Sequence, residues 1–484
     1  MAPEPRGSLP GPFVLSTPDH TLTADGAPGR SRPLSGGGAD LAKEAEAALR
    51  DARAAGWDDP RVVGALPFRT GAPAALMVAD VVRTGPRPSG APGGDSRRGP
   101  LFRDRSPLTA GGPPSGRRPR PDPPRIPGGG SLPDPPSRER SSRTAAEAPS
   151  SGPPPRHRLR EEPSADDYAR LVGLAVEHLS NEGLDKVVLA RTLLLDLAEP
   201  LDPGRVLARL TADNPGAFNF AVAAGAFGSG EVFGEGSGGT DGRGRGPLRR
   251  PAPVLVGASP ELLVARSGPR VRSHPLAGSA PRHPDPEADR ERAEALLASA
   301  KDLREHAFVV EAIAERLRPL CSRLDVPEAP SLTATATMWH LGTPLSGLLR
   351  EPLPSALELA AVLHPTPAVC GTPAEAAARA IGAWEPFDRG LYAGAVGWCD
   401  ADGDGEWAVT LRCAEIAGSR ARLFAGAGIV ADSVPAEEAA ETGAKFRTML
   451  NALGLEPVGP GSAGPDPGAS GPGALNPAAR VPPP

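Results

Sequence analysis

Residues 390–418, GLYAGAVGWCDADGDGEWAVTLRCAEIAG, decide the fold class. Two apolar runs of strand length flank a cluster of Asp and Gly, the pattern of a β-hairpin with its turn residues at the tip. The tip, DADGDG from Asp400, imitates the start of a calcium loop, but its twelfth position is Leu411, where such a loop needs a bidentate glutamate. A hairpin tip is therefore expected. On either side, KVVLARTLLLDL (186–197), NFAVAAGAF (219–227), VLVGASPELLVARSG (254–268), RVRSHPLAGS (270–279) and RARLFAGAGIVA (420–431) also read as strands. Helical spacing marks DDYARLVGLAVEHLSNEG (166–183), which stops at Asn181 and Gly183, and RAEALLASAKDLREHAFVVEAIAERLRPL (292–320), which reads as one long helix. PAEEAAETGAKFRTMLNALGL (435–455) is a further helix, with Pro435 near its start and Gly454 near its end. Hairpins flanked by long helices predict an α+β fold, an α/β sandwich of large, mainly antiparallel sheets wrapped by helices.

The 484 residues include 59 glycines and 62 prolines, a quarter of the chain, and these cluster. Residues 84–163 (SGRRPRPDPPRIPGGGSLPDPPSRERSS is representative) carry too little apolar surface to offset the entropy of ordering, so a disordered insertion is expected there. A Gly-rich stretch, 228–253, reads as a long hairpin insertion, and 457–484 as a disordered tail. The expected organisation is one large domain whose N-terminal part is 1–83 and whose body is 164–456. Net charge is −5, which gives no overall attraction for nucleic acid or an anionic membrane. The start MAPEPRGSLPGPF has an acid and prolines where a secretory signal needs a basic start and an apolar run, and no stretch approaches the roughly 18 apolar residues of a membrane span. Cys321, Cys370, Cys399 and Cys413 show no CxxC spacing, so neither zinc nor a disulfide framework is indicated. A soluble, reduced, cytoplasmic protein is expected.

Only Lys43, Lys186, Lys301 and Lys445 are lysines among 53 basic residues. Arginine does not give up its proton in a protein, whereas a buried lysine can act as a base; Lys186 either serves that use or is the polar edge of a strand. Asp302 and Glu305, beside Lys301, lie three apart on one predicted helix; Glu438 and Glu441, with Lys445 four further on, do the same on another. Such sets are either solvated charged faces or an Mg²⁺ site, since that ion takes one or two protein carboxylates and fills its shell with water and substrate oxygens. Glu261 follows a Ser-Pro bend between apolar runs, either as a solvent-facing strand residue or as a carboxyl with a raised pKa for general-acid work. Gly426 and Gly428 form a partial dinucleotide fingerprint without its third glycine, so a Rossmann site is not expected; their N–H groups suit a carboxylate.

Nine segments in order, LDKVVLAR, GASPELLV, HPLAGSAPR, KDLREHAFVVEAI, MWHLGT, LHPTPAVCGTP, RGLYAGAVGW, WAVTLRCAEI and AGAGIVADSVPAEEAAETGAKF, with VVGALPF (62–68) ahead of them, resemble the chorismate-utilising enzymes. That family comprises isochorismate synthases, salicylate synthases and the large subunits of anthranilate and aminodeoxychorismate synthases. The resemblance implies an anthranilate synthase large-subunit-like fold with its site in a cleft of the 164–456 catalytic domain. It implies Lys186 as the base that activates water for attack at C2 of chorismate, and Glu261 as the acid that protonates the departing C4 hydroxyl. Glu305 and Glu441 would be Mg²⁺ ligands, with Asp302 and Glu438 supporting them through water. Arg412 and Tyr392 would hold the pyruvyl carboxylate, helped by the backbone around Gly426 and Gly428 and by Lys445. His340 would lie near the ring, and Gly278 and Ser279, the latter usually Thr in relatives, would line the pocket. Ala368 in HPTPAVCG resembles the siderophore-type isochorismate synthases, whereas salicylate-forming and amine-using relatives tend to carry Thr there. The resemblance thus implies an Mg²⁺-dependent isochorismate synthase acting on chorismate as a monomer. No tryptophan-pocket motif is evident, so no glutamine amidotransferase subunit is expected. The alternatives are a salicylate synthase, and a non-catalytic scaffold whose Pro-rich segment docks partner domains.

Overall fold

A computed structural model describes residues 9, 11–24, 31–34, 40–57, 59–80, 82–85, 157–179, 183–224 and 252–455. Most of the 84–163 insertion, nearly all of 228–253 and the whole 457–484 tail lie outside the described residues.

The expected hairpin forms: Ala395–Asp400 pairs antiparallel with Gly405–Val409, and Asp400 Oδ1 accepts from the N–H groups of Asp402 and Asp404, each at 2.9 Å, to close the tip. Both strands belong to a nine-stranded sheet of order Cys321–Asp325, Leu345–Leu349, Arg270–His274, Leu262–Ser267, Gly405–Val409, Ala395–Asp400, Arg61–Leu66, Ala75–Ala79 and Ser31–Pro33. The last strand of the opening stretch, Cys413–Ala417, lies instead in a ten-stranded sheet. Its order is Gly371–Thr372, Lys186–Leu197, Arg420–Ile429, Cys413–Ala417, Val254–Ser259, Phe218–Ala223, Phe13–Ser16, Thr21–Ala24 and Val82–Gly85, with His157–Glu162 also paired along Lys186–Leu197. Leu276–Pro281, Met338–Gly342 and Ser331–Ala334 make a third, small sheet. Pairings among the described residues are antiparallel throughout.

The pleat explains the layering. Phe13, Leu15, Phe220, Val222 and Leu255 point from the ten-stranded sheet into the main core, where Val62, Leu76, Val264 and Trp407 of the other sheet meet them. Their alternate neighbours Val14, Ala221 and Val256 point the other way, onto Val206 and Leu210 of helix Pro203–Asp213 and onto Phe446 and Met449 of helix Pro435–Leu453. Both faces of this sheet are thus covered, which is why residues 186–193 form an unbroken buried run with no polar alternation.

Three expectations about boundaries change. Val82–Gly85 and His157–Glu162 are ladder strands, so the 84–163 insertion is shorter at both ends than composition suggested. The long helix expected over 292–320 is two, Pro286–Ala298 and Ala300–Leu317, broken at Ser299. Extended backbone there (φ −72°, ψ 110°) lets the Ser299 hydroxyl accept from Asp302 N at 3.2 Å, so a cap outcompetes the continuing apolar period. The strand-like run at 219–227 ends as a strand at Ala223. Helix Pro435–Leu453 keeps its expected ends, with Pro in its first turn and Gly454 left-handed at φ 73°. Among the described residues no helix is long and apolar enough to cross a membrane.

Candidate active site

The chain passes between the two large sheets at two neighbouring points. Pro260 and Glu261 link Val254–Ser259 of the ten-stranded sheet to Leu262–Ser267 of the nine-stranded one; Thr410–Arg412 lead back from Gly405–Val409 to Cys413–Ala417. The crossings are bonded to each other, Ala258 N donating to Arg412 O and Val409 N to Glu261 O, both at 3.1 Å. Arg412 sits at φ 50°, a left-handed conformation uncommon for any residue but glycine and held here by the surrounding ladders. The result is a cleft between the sheets with Glu261 and Arg412 in its lining.

Glu261 is 2% exposed. Burial pushes its carboxyl up to about 8, against the opposing effects of the Leu276 backbone N–H and the charges of Lys186, Arg412 and Lys445. It therefore carries a proton at neutral pH, the state a general acid needs. His340, on the small sheet, goes the opposite way: burial and then the Arg412 and Lys445 charges hold its imidazole well below its ordinary value. A neutral ring agrees with Arg412 Nη2 donating to His340 Nε2 at 3.4 Å.

Lys186 opens the longest strand and is fully buried. Its Nζ lies 3.1 Å from Glu305 Oε1, yet off the direction of a hydrogen bond, and has no hydrogen-bond partner among the described residues. Glu305 comes from helix Ala300–Leu317 and reaches this point because Gly428 leaves it room. A Cβ at Gly428 would stand 2.1 Å from Glu305 Oε1 and 3.0 Å from Lys186 Cε. Gly428 is thus a space requirement of the Lys186–Glu305 contact.

The carboxylates of two helices converge beside it. Glu441 accepts from Lys445 Nζ at 2.5 Å and from Ser279 Oγ at 2.7 Å; these outweigh burial and hold its pKa below the ordinary value. Glu438 pairs with Lys301 at 2.5 Å but is pushed up to about 7 by burial and then by Glu441. Asp302 is raised by burial, with repulsion from Glu305 and Glu441 adding to it and a hydrogen bond from Ser299 opposing it. Gly278, at φ 76°, brings its backbone against Asp302, where a Cβ would lie 3.0 Å from the Asp302 Cβ. On the far wall Tyr392 stacks on Phe424 at 4.8 Å between ring centroids, and Lys445 Nζ donates to Gly426 O at 2.8 Å. A Cβ at Gly426 would come to 3.0 Å from the Tyr392 hydroxyl, so glycine lets that hydroxyl approach.

The model of the family described as chorismate binding enzyme matches residues 136–228 and 248–454. The chain belongs to the chorismate-binding enzymes. Isochorismate synthase DhbC of Bacillus subtilis is 47% identical over 302 residues, 62% of this chain and 71% of that protein. A Mycobacterium tuberculosis protein provisionally named isochorismate synthase MenF is 39% identical over 461 residues, 94% of this chain and 98% of that one. The crystal structure of a protein from Bacillus anthracis, provisionally assigned as the 2,3-dihydroxybenzoate-specific isochorismate synthase DhbC, superposes with TM-score 0.71 at 36% identity, covering 92% of this chain and 96% of that one.

In this chorismate-binding enzyme Glu261, Gly278, Ser279, Glu305, His340, Ala368, Tyr392, Arg412, Gly426, Gly428, Glu441 and Lys445 all line one cleft. Lys186, Asp302 and Glu438 are not in that lining: Lys186 touches the lining Glu305, Glu438 is paired with Lys301, and Asp302 is bonded to Ser299. Sequence reading passed over Phe424 and Val188 and gave Lys301, named beside Asp302 and Glu305, no role of its own. Lysine scarcity was the available signal for Lys301, since three of the four lysines prove to serve this cleft as ion-pair partners of Glu305, Glu438 and Glu441.

Proposed function

We propose that this enzyme is an isochorismate synthase, an isomerase that converts chorismate to isochorismate. The observation that carries the reading is Glu261: a carboxyl kept protonated by burial in a cleft whose cationic groups, Arg412 and Lys445, suit an anionic substrate. Arg412, Tyr392 and Lys445 hold the pyruvyl carboxylate, which leaves the ring between the Lys186 side and Glu261. Lys186 takes a proton from water as its oxygen bonds to C2, the ring double bonds shift, and Glu261 gives its proton to the C4 hydroxyl as that C–O bond breaks. One water enters and one leaves, so substrate and product are isomers, and the nucleophile requires no ammonia-supplying subunit.

The four carboxylates are all hard oxygen donors, two of them raised in pKa by burial and then by their neighbours' charge, and they fit Mg²⁺. Among the described residues no three acidic or imidazole groups are already gathered around one point. Mg²⁺ does not need three, because it keeps several waters and takes one or two carboxylates. Glu305 and Glu441 would hold it, with Asp302 and Glu438 supporting through water. When bound, the ion would neutralise substrate carboxylate charge. Ala368 in the lining and the similarity to the DhbC proteins favour a product destined for a catecholate siderophore; the match to the MenF protein along nearly the whole chain supports menaquinone as the second reading.

The test is incubation of the full chain with chorismate, with and without Mg²⁺, and chromatographic identification of products. Isochorismate formed only with Mg²⁺ is the expected result. Salicylate with pyruvate would move the enzyme to the lyase branch, and no turnover would overturn the reading.

A further inference from the structure

Behind the cleft a buried ion pair ties two of its walls together. Arg389, 3% exposed, donates from Nε to Glu385 Oε2 at 2.8 Å and from Nη2 to Glu385 Oε1 at 2.5 Å. The same guanidinium donates to two backbone carbonyls, Val369 O from Nη1 at 2.7 Å and Val188 O from Nη2 at 2.8 Å. Glu385 Oε1 in turn accepts from Ala190 N at 2.8 Å. These contacts fall where, among the described residues, no strand pairs along the edge of the ten-stranded sheet. Gly371–Thr372 pairs with Val187 and Lys186, and His157–Glu162 joins only from Thr192 onward. Buried backbone groups between those points need partners, and the ion pair meets those of Val188 and Ala190. Val188 N donates to Cys370 O at 2.8 Å, which stitches the same strand to the same loop once more. Val188 and Val369 both line the cleft, Ala368 beside them, and Lys186 is two residues before Val188.

We propose that Arg389, oriented by Glu385, is a positioning residue for the reaction, fixing the strand that carries Lys186 against the Ala368–Val369 loop that faces the substrate. The proposal rests on the isochorismate synthase reading for its activity readout. The geometry demands arginine: four directed bonds leave a planar fork, whereas a lysine ammonium carries the charge on one nitrogen and cannot span a carboxylate and two separate carbonyls.

The test compares wild type with Arg389→Lys in the full chain, by steady-state kinetics and by hydrogen exchange. A shift of about 1 Å in the strand is expected to lower kcat about a hundredfold while KM changes by no more than about threefold. Exchange is expected to speed up in segments 187–191 and 366–371 and to stay unchanged in the hairpin at 395–409. Unchanged kcat per folded molecule overturns the proposal. So does exchange that is unaltered in both segments or raised evenly over the chain, the signature of a purely structural role. Wild-type turnover run alongside judges the isochorismate synthase reading separately, and if it fails the exchange pattern still decides the clamp. Should Arg389→Lys not fold, Glu385→Gln, which keeps the shape and loses the charge, is expected to show the same pattern in smaller measure; a wild-type pattern would overturn the clamp.

Discussion

Replacing Glu261 with Gln removes a proton site whose effect on stability follows from its surroundings. Burial moves the carboxyl from 4.5 to about 8. The folded protein therefore holds this proton more tightly than the unfolded chain does. That advantage is fully present below the unfolded pKa and is lost as pH rises through the folded one. At about 1.4 kcal/mol for each pH step in which only the unfolded form ionises, the residue lowers wild-type stability by about 4 kcal/mol between about pH 5 and about pH 9. An amide cannot ionise, so Glu261→Gln escapes that loss. Urea unfolding of both proteins at both pH values is the assay, and the difference between them is the readout because the titrations of other groups largely cancel. The variant should gain about 4 kcal/mol on wild type across the interval; a gain below about 1 kcal/mol would refute proton retention by the fold and with it the general-acid role. The same preparations test catalysis, since wild-type turnover should fall above about pH 8 and the variant should have none.

Lys186→Arg keeps the charge and loses the base, so turnover should drop by at least about a hundredfold with the melting temperature little changed; a near-normal rate would remove the base assignment. Gly428→Ala would place a methyl 2.1 Å from Glu305 Oε1, so Glu305 must leave Lys186 and activity should collapse in a folded protein; a wild-type rate would show that the ion pair is dispensable. Glu441→Gln should weaken Mg²⁺ binding in calorimetry by more than about tenfold, whereas Glu261→Gln should leave it intact. Equal metal affinity in Glu441→Gln and wild type would exclude Glu441 as a ligand.

Much of the fold is legible because its signals are local. The Asp/Gly tip at 400–404 and the proline and glycine that bound helix Pro435–Leu453 act within a few residues of themselves. Ser299 shows where local reading fails. The apolar period runs through it and masks the local start signal, Ser299 capping the N–H of Asp302 three residues on, so the period alone predicts one more turn. Arg389 and Glu385 fail differently: they lie in EPFDRG, a Pro- and Gly-bounded stretch just past the end of helix Ala374–Trp384, and nothing nearby in the chain announces that both are buried and paired.

The sequence by itself determined which segments pleat and which coil, and three of its four lysines and a handful of glycines serve one place, because periodicity, turn chemistry and residue choice are written along the chain. Only the tertiary structure decided that Glu261 keeps its proton, that His340 loses its own, and that Gly428 must be bare. Those outcomes depend on desolvation and on atoms only ångströms apart, contributed by segments as distant as residues 186, 305, 412 and 445, and such distances are set by how two sheets and two helices close around a cleft.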